Sequence, residues 1–136
     1  MKVLVILGCS KRKLTHAARA RDLYQGALFK AGLAYATRAG ADVAILSAKY
    51  GVLHPDDLVE PYDLQMTIPL ARQYAQQPAA QAELKDLVRE YERIWVVAGK
   101  AYRILLNEVW DDRFHNAIVG GIGTTLRLLN TTGGKK

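Results

Sequence analysis

The sequence predicts an α/β protein of three layers, with helices on both faces of a central four-stranded parallel sheet. Three observations lead there. Four short runs rich in Val, Ile or Leu recur along the chain, and helical patterns fill the gaps between them. None of the runs alternates strictly between apolar and polar side chains, as a half-exposed strand would. A sheet covered on both faces accounts for all three, with right-handed crossovers between its strands.

The first strand is read at residues 2–8, an apolar run that ends at Gly8. A long helix is expected from about Thr15 to Arg38, with Thr15 as its N-cap. Ala20, Leu23, Tyr24, Ala27, Ala31 and Tyr35 fall on one face of it. The second strand is read at residues 42–47. His54-Pro55-Asp56-Asp57 reads as a turn that starts a short helix, capped by Asp56 or Asp57. A short helix is expected over 69–76 and a longer one over 78–91. Pro78 suits the first turn of the latter, and Leu84, Leu87, Val88 and Tyr91 form its stripe. The third strand is read at 93–98. A helix over 100–110 follows, with Tyr102, Leu105, Leu106 and Val109 on one side. The fourth strand is read at 116–119, and a last short helix follows Gly123. Residues 1–130 form one domain, and 131–136 (TTGGKK) read as a flexible tail.

The chain has 136 residues, room for one sizeable core. No apolar run approaches the ~20 residues that span a bilayer, so no membrane partner is expected. The first eight residues are too short for a signal peptide. Cys9 is the one cysteine. It excludes an internal disulfide and fits a reducing, cytoplasmic location. His16, His54 and His115 are scattered, and no Cys/His cluster has zinc spacing, so neither a metal nor a cofactor is expected. The formal charge is +6, and Lys11, Arg12, Lys13, His16, Arg19 and Arg21 crowd one stretch. That points to a polyanionic partner, DNA or a nucleotide. The oligomeric state is not legible.

Parallel sheets bind ligands beyond the carboxyl ends of their strands, near the point where strand order reverses. The four strand exits are Gly8-Cys9-Ser10-Lys11, Ser47-Ala48-Lys49-Tyr50-Gly51, Ala98-Gly99-Lys100 and Gly120-Gly121-Ile122-Gly123. All carry small residues, and three carry a lysine. Small residues let a ligand approach the backbone, while lysines and exposed amides attract anions. Neither glycine-rich exit matches a nucleotide-triphosphate or dinucleotide phosphate loop, which disfavours ATP hydrolysis and dinucleotide redox chemistry.

The candidate ligand-binding residues are Cys9, Ser10, Lys11, Lys49, Tyr50, Tyr62 and Gly121. Two roles are open to Cys9, a nucleophile beside basic residues or a small side chain wedged at the strand end. Ser10 is the stronger candidate for hydrogen-bonding a ligand. In Glu60-Pro61-Tyr62-Asp63 the proline fixes the chain and Tyr62 offers a flat face to a base, unless it packs in the core. Asp63 suits an acid, a base or an electrostatic stabiliser, with Asp57 second. Lys11, Arg12, Lys13 and Arg19 suit a nucleic-acid backbone.

The stretch ILSAKYGVLHPDDLVEPYDLQM, residues 45–66, resembles a segment of YaaA-like peroxide-stress proteins: a strand, S-x-x-Y-G-L-L, a short acidic helix, then P-Y-x-L-x-M. Ser47, Tyr50, Gly51, Leu53, Asp57, Pro61, Tyr62, Leu64 and Met66 carry the match. Together with GCSKRK, ARDLYQGALF and GGIGTTLRLL, the chain also resembles a shorter family of uncharacterised bacterial and phage proteins. That family shares the C-S-K-x-K, S-A-K-Y-G and P-Y-D motifs. The C-S-K start is similar to a domain of archaeosine-type tRNA-modification enzymes and, through it, to the uracil-DNA glycosylase superfamily. The resemblance implies a uracil-DNA-glycosylase-like α/β/α fold with its pocket at the carboxyl edge of the sheet. Those enzymes usually carry a catalytic acid at the first strand exit, where this chain has Cys9-Ser10-Lys11 and no carboxylate.

The function expected is that of a nucleobase-processing hydrolase, cleaving an N-glycosidic bond in DNA or a nucleotide, with a damaged or modified base among the candidates. Asp63 or Asp57 would supply the carboxylate, and Tyr62 and Tyr50 the aromatic clamp. The alternative is a non-catalytic DNA-binding stress protein of the YaaA type. A small-molecule nucleotide hydrolase or transferase is a third.

Overall fold

The structure, a computed structural model, describes residues 2–117. Along the chain run β1 (Val3–Gly8), β2 (Ala18–Arg19), α1 (Ala20–Leu23), α2 (Ala27–Ala39), β3 (Asp42–Ser47) and β4 (Gly51–Leu53). There follow β5 (Leu58–Val59), α3 (Ile68–Ala75), α4 (Pro78–Val88), β6 (Arg93–Val97), α5 (Lys100–Leu105) and β7 (Phe114–Asn116). The main sheet has five strands in the order β4-β3-β1-β6-β7, and β2 pairs with β5 in a separate ribbon. β3, β1, β6 and β7 are mutually parallel, and β4 returns antiparallel along β3.

Successive strand residues point to opposite faces, which divides the core in two. Leu4 and Ile6 of β1 join Ala44, Leu46, Ile94 and Val96 on one face, under Ala71, Leu84, Tyr102 and Leu105 of α3, α4 and α5. Val5 and Leu7 join Ile45 and Val97 on the other, under Phe29, Ala31 and Ala36 of α2. Helices therefore cover both faces, which is why the strands carry unbroken apolar runs. No helix among the described residues is long and apolar enough to cross a membrane.

The structure corrects the sequence reading at several points. The sheet has five strands, not four. β4 was hidden because it is three residues long and enters through Gly51 in the left-handed region, at φ +75°. The helix expected from Thr15 to Arg38 is two helices. Thr15 caps neither, and Ala18–Arg19 is a strand. At the break, the Gln25 amide donates to the Arg12 carbonyl (2.8 Å) and the Gly26 amide to Ser10 Oγ (3.1 Å). Bonds to the β1 exit thus replace the intrahelical ones. No helix follows Pro55. Asp57 closes a turn instead: its Oδ2 accepts from the His54 amide at 2.8 Å, and β5 begins at the next residue.

The edges of other elements also move. β6 ends at Val97, α4 at Val88 and α5 at Leu105. β7 starts at Phe114, two residues before the strand expected over 116–119. The expected helix after Gly123, the flexible tail and Gly121 lie outside the described residues.

Candidate functional site at the switch point of the sheet

From β1 the chain crosses to β3 on one side; after β4 it returns to β6 on the other side of β1. Strand order reverses between β1 and β6, and a crevice opens beyond their carboxyl ends. A cleft of about 480 Å³ lies there, a size that suits a nucleotide. Its walls are the β1 exit (Cys9, Ser10, Lys11), the β6 exit (Ala98, Gly99, Lys100), the start of α2 with Leu28 and Phe29, and the pair Gln65-Met66. Lys11 and Lys100 are exposed, while Phe29 and Met66 are buried. The cleft thus has a cationic rim and an apolar wall.

Tyr102 is nearly fully buried beneath it. Its hydroxyl meets Cys9 Sγ at 2.7 Å and donates to the Cys9 carbonyl at 3.4 Å. Gly8 makes this possible. A Cβ at Gly8 would sit 2.7 Å from Tyr102 Cε2 and 3.0 Å from Ala98 Cβ. Gly99 is the opposite case, since nothing described lies within 4 Å of a Cβ there. The β6 exit keeps that space open toward the cleft.

Behind Cys9 runs a second chain of hydroxyls. Ser47 Oγ accepts from the Lys49 amide (3.1 Å) and the Tyr50 amide (3.0 Å). With both lone pairs occupied, it gives its own proton to Tyr62 Oη at 2.7 Å. Tyr62 in turn meets Tyr24 Oη at 2.7 Å. The serine of the S-x-x-Y-G motif therefore bonds the tyrosine of the P-Y-D motif, and this bond ties the β3 exit to the segment lining the cleft. Burial raises the pKa of Tyr62, Tyr102 and Tyr24 above the ordinary phenol value, and the neighbouring Cys9 raises it further. All three hydroxyls keep their protons at neutral pH and can donate.

The Tyr62 ring is held on two sides. Tyr50 meets it edge-on at 5.4 Å between centroids, and Lys13 Nζ lies 4.4 Å from its centre. Tyr62 is therefore a positioning residue, and Tyr50, 42% exposed, is the ring open to solvent. Lys49 Nζ lies 5.3 Å from the Tyr50 centroid. Ser10 clasps the loop: its hydroxyl donates to the Arg12 carbonyl (3.0 Å) and accepts from Gly26. Lys11, Arg12 and Arg19 are exposed.

The carboxylates are placed differently from the binding residues. Asp57 sits in the β4–β5 turn with Oδ2 engaged, and Asp63 is exposed just past Tyr62; neither lines the cleft. Among the described residues no three His, Cys, Asp or Glu side chains come together as a metal site.

Sequence reasoning missed Tyr24 and Tyr102 as members of the site, because helical periodicity marks both as core residues. The available signal was Gly8, a glycine ending a buried strand where a large ring passes. Gln65 gave no signal beyond following the P-Y-D motif, and Met66 entered only as the last residue of the P-Y-x-L-x-M match.

A family model described as a family of unknown function (DUF6884) matches residues 4–130. The "Uncharacterized protein YfjM" of Bacillus subtilis (strain 168) is 33% identical over 150 aligned residues, covering 96% of this chain and 94% of that protein. No solved structure matches the chain.

Proposed function

We propose, from the premise that the chain belongs to the DUF6884 family of unknown function, that it processes a nucleobase held in the switch-point cleft. The ligand is a nucleotide, free or within DNA, and the reaction is hydrolysis of its N-glycosidic bond. The observation that carries this reading is the cleft itself. Its apolar wall of Leu28, Phe29 and Met66 suits a base, and the rim of Lys11 and Lys100 suits a phosphate. The Tyr102 hydroxyl beneath the cleft is engaged by Cys9 and fixes the β1 exit that forms one wall. In such hydrolysis, water adds to the sugar C1′ as the C1′–N bond breaks; the base leaves with the electron pair and takes up a proton. The four parallel strands and a pocket at their carboxyl ends support a uracil-DNA-glycosylase-like ancestry. A cytoplasmic setting fits the single cysteine and the substrate.

The test is base release from unmodified, uracil-containing and hypermodified DNA and from free nucleotides, read as alkali-labile sites and as free base by mass spectrometry. Release that disappears in Lys100→Ala and in Asp63→Asn supports the reading and names the carboxylate. Asp63, exposed between the anchored Tyr62 and the wall residues Gln65 and Met66, would have to turn its side chain inward to serve.

One observation favours a second reading. Asp57 and Asp63 both lie outside the cleft lining, which suits a DNA-binding protein of the YaaA type that performs no cleavage. Salt-sensitive DNA binding without base release from any substrate would select it.

A further inference from the structure

We infer that the cleft's substrate is single-stranded DNA and that Tyr50 is the platform on which the neighbouring base stacks. The inference rests on the reading of the cleft as a nucleobase site, and names the form in which that base arrives.

Tyr50 is exposed yet fixed. Its amide is bonded to Ser47 Oγ at 3.0 Å, and its ring stands at 86° to that of Tyr62. Tyr62 is itself anchored through its hydroxyl to Ser47 and Tyr24. An aromatic face held in one orientation binds a base with little entropy left to lose. The platform is joined to the cleft through the chain: Gln65 and Met66 of the wall follow Tyr62 by three and four residues, and the Cys9 amide of the opposite wall donates to the Leu46 carbonyl, next to Ser47.

The charges point the same way. Among the described residues the ion pairs are Lys2–Glu90, Arg21–Asp56, His54–Asp56, Arg89–Asp86 and Arg113–Asp111. Lys11 and Lys100 line the cleft, Lys13 Nζ lies over the Tyr62 ring and Lys49 Nζ over the Tyr50 ring, and none of the four is in those pairs. Four cations spread across the cleft and the platform suit a polymer with a phosphate at every step more than a ligand with one phosphate. A free nucleotide filling the cleft would leave Tyr50 and Lys49 unused. A duplex would leave Tyr50 unused too, since its bases stack on one another; a splayed strand supplies a base with a free face.

The test is fluorescence anisotropy of a short labelled oligodeoxynucleotide, with the duplex of the same sequence and thymidine monophosphate as competitors. Wild type, Tyr50→Ala, Tyr50→Trp and Lys100→Ala are compared, and melting curves confirm that each variant folds. The single strand is expected to bind at least about tenfold more tightly than the monophosphate. Tyr50→Ala should lose roughly tenfold on the strand and nothing on the monophosphate, and Tyr50→Trp should retain affinity. Phosphate contacts by Lys11, Lys13, Lys49 and Lys100 predict a slope of log K against log salt of about −3 for the strand.

Equal competition by monophosphate or duplex, or strand affinity indifferent to Tyr50→Ala, overturns the inference and leaves the cleft reading standing if Lys100→Ala still weakens the monophosphate. Strand binding that depends on Tyr50 while neither monophosphate nor Lys100→Ala has any effect overturns the cleft reading, and with it the flanking role of Tyr50.

Discussion

Replacing Gly8 by alanine tests the packing that sets the floor of the cleft. The new methyl would lie 2.7 Å from Tyr102 Cε2, 2.9 Å from Cδ2 and 3.0 Å from Ala98 Cβ. Ordinary contact needs well over 3 Å, so the ring or the strand exit must shift by roughly 0.7 Å or more. Tyr102 cannot yield freely, because it is 6% exposed and its hydroxyl is held by Cys9. Overpacking of this kind costs about 1–3 kcal/mol. For a chain of this length, about 2 kcal/mol corresponds to a fall in Tm of roughly 6–10 °C. Gly99→Ala is the matched control. It adds the same methyl one strand away into open space, and should change stability by no more than about 0.5 kcal/mol.

Urea unfolding of both variants measures the difference, with the m-value checked for constancy. The steric account makes a further demand. Tyr102→Ala should cost less in the Gly8→Ala background than in wild type, by about 1–2 kcal/mol, because there the loss of the ring also relieves the clash. Strict additivity, or a Gly8→Ala variant as stable as wild type, would refute the reasoning.

Ser47→Ala should destabilise by about 1–3 kcal/mol, since the Lys49 and Tyr50 amides lose their acceptor and the half-buried Tyr62 hydroxyl loses a donor; equilibrium unfolding reads this directly. Alkali should destabilise the fold. The raised pKa of Tyr24, Tyr62 and Tyr102 means that the folded chain keeps phenolic protons that the unfolded chain sheds above 10.0. Stability is therefore whole below that pH and is lost as pH rises past it. Tyr91, pushed up to about 12 by burial and then by Asp42, adds its share between 10.0 and about 12. A Tm series in alkali should fall less steeply for Tyr102→Phe, and phenols that ionise near 10.0 without unfolding would contradict the burial argument. Arg113→Ala should cost about 1–2 kcal/mol, because Nη1 donates to the carbonyl of Val88 (2.6 Å), which ends α4, and to that of Tyr91 (2.9 Å) beyond it, as well as facing Asp111. Arg89→Ala, which breaks only an exposed pair with Asp86, should change Tm barely at all.

The parallel core was legible because strands covered on both faces must be apolar on both, and residues 42–47 announce this without ambiguity. β4 was not, since three residues after a glycine read equally well as loop. The break between α1 and α2 was hidden for a subtler reason. Leu23, Tyr24, Ala27 and Ala31 keep helical phase across it, and periodicity cannot register that the Gly26 amide has left the helix for Ser10 Oγ. The site was legible as a place, because ligand-facing loops follow strands in this architecture. Its chemistry was less so. Spacing tells which side chains turn inward, but not where the polar tip of a buried Tyr24 or Tyr102 ends. It equally cannot tell that Asp57 spends its carboxylate on the His54 amide.

The thiol at the β1 exit gives the molecule a property of another kind. Cys9 and Tyr102 are 93 residues apart in the chain, Tyr24 and Tyr62 are 38 apart, and Ser47 and Tyr62 are 15 apart. No fragment shorter than the whole sheet can bring these groups together, so the loop-closure entropy of the entire fold stands between the unfolded chain and the site. Because Cys9 is the one sulfhydryl in the sequence, its alkylation rate is a native clock. Cys9 is half-buried in the cleft wall, so the rate reads access to the cleft and falls when the cleft is filled.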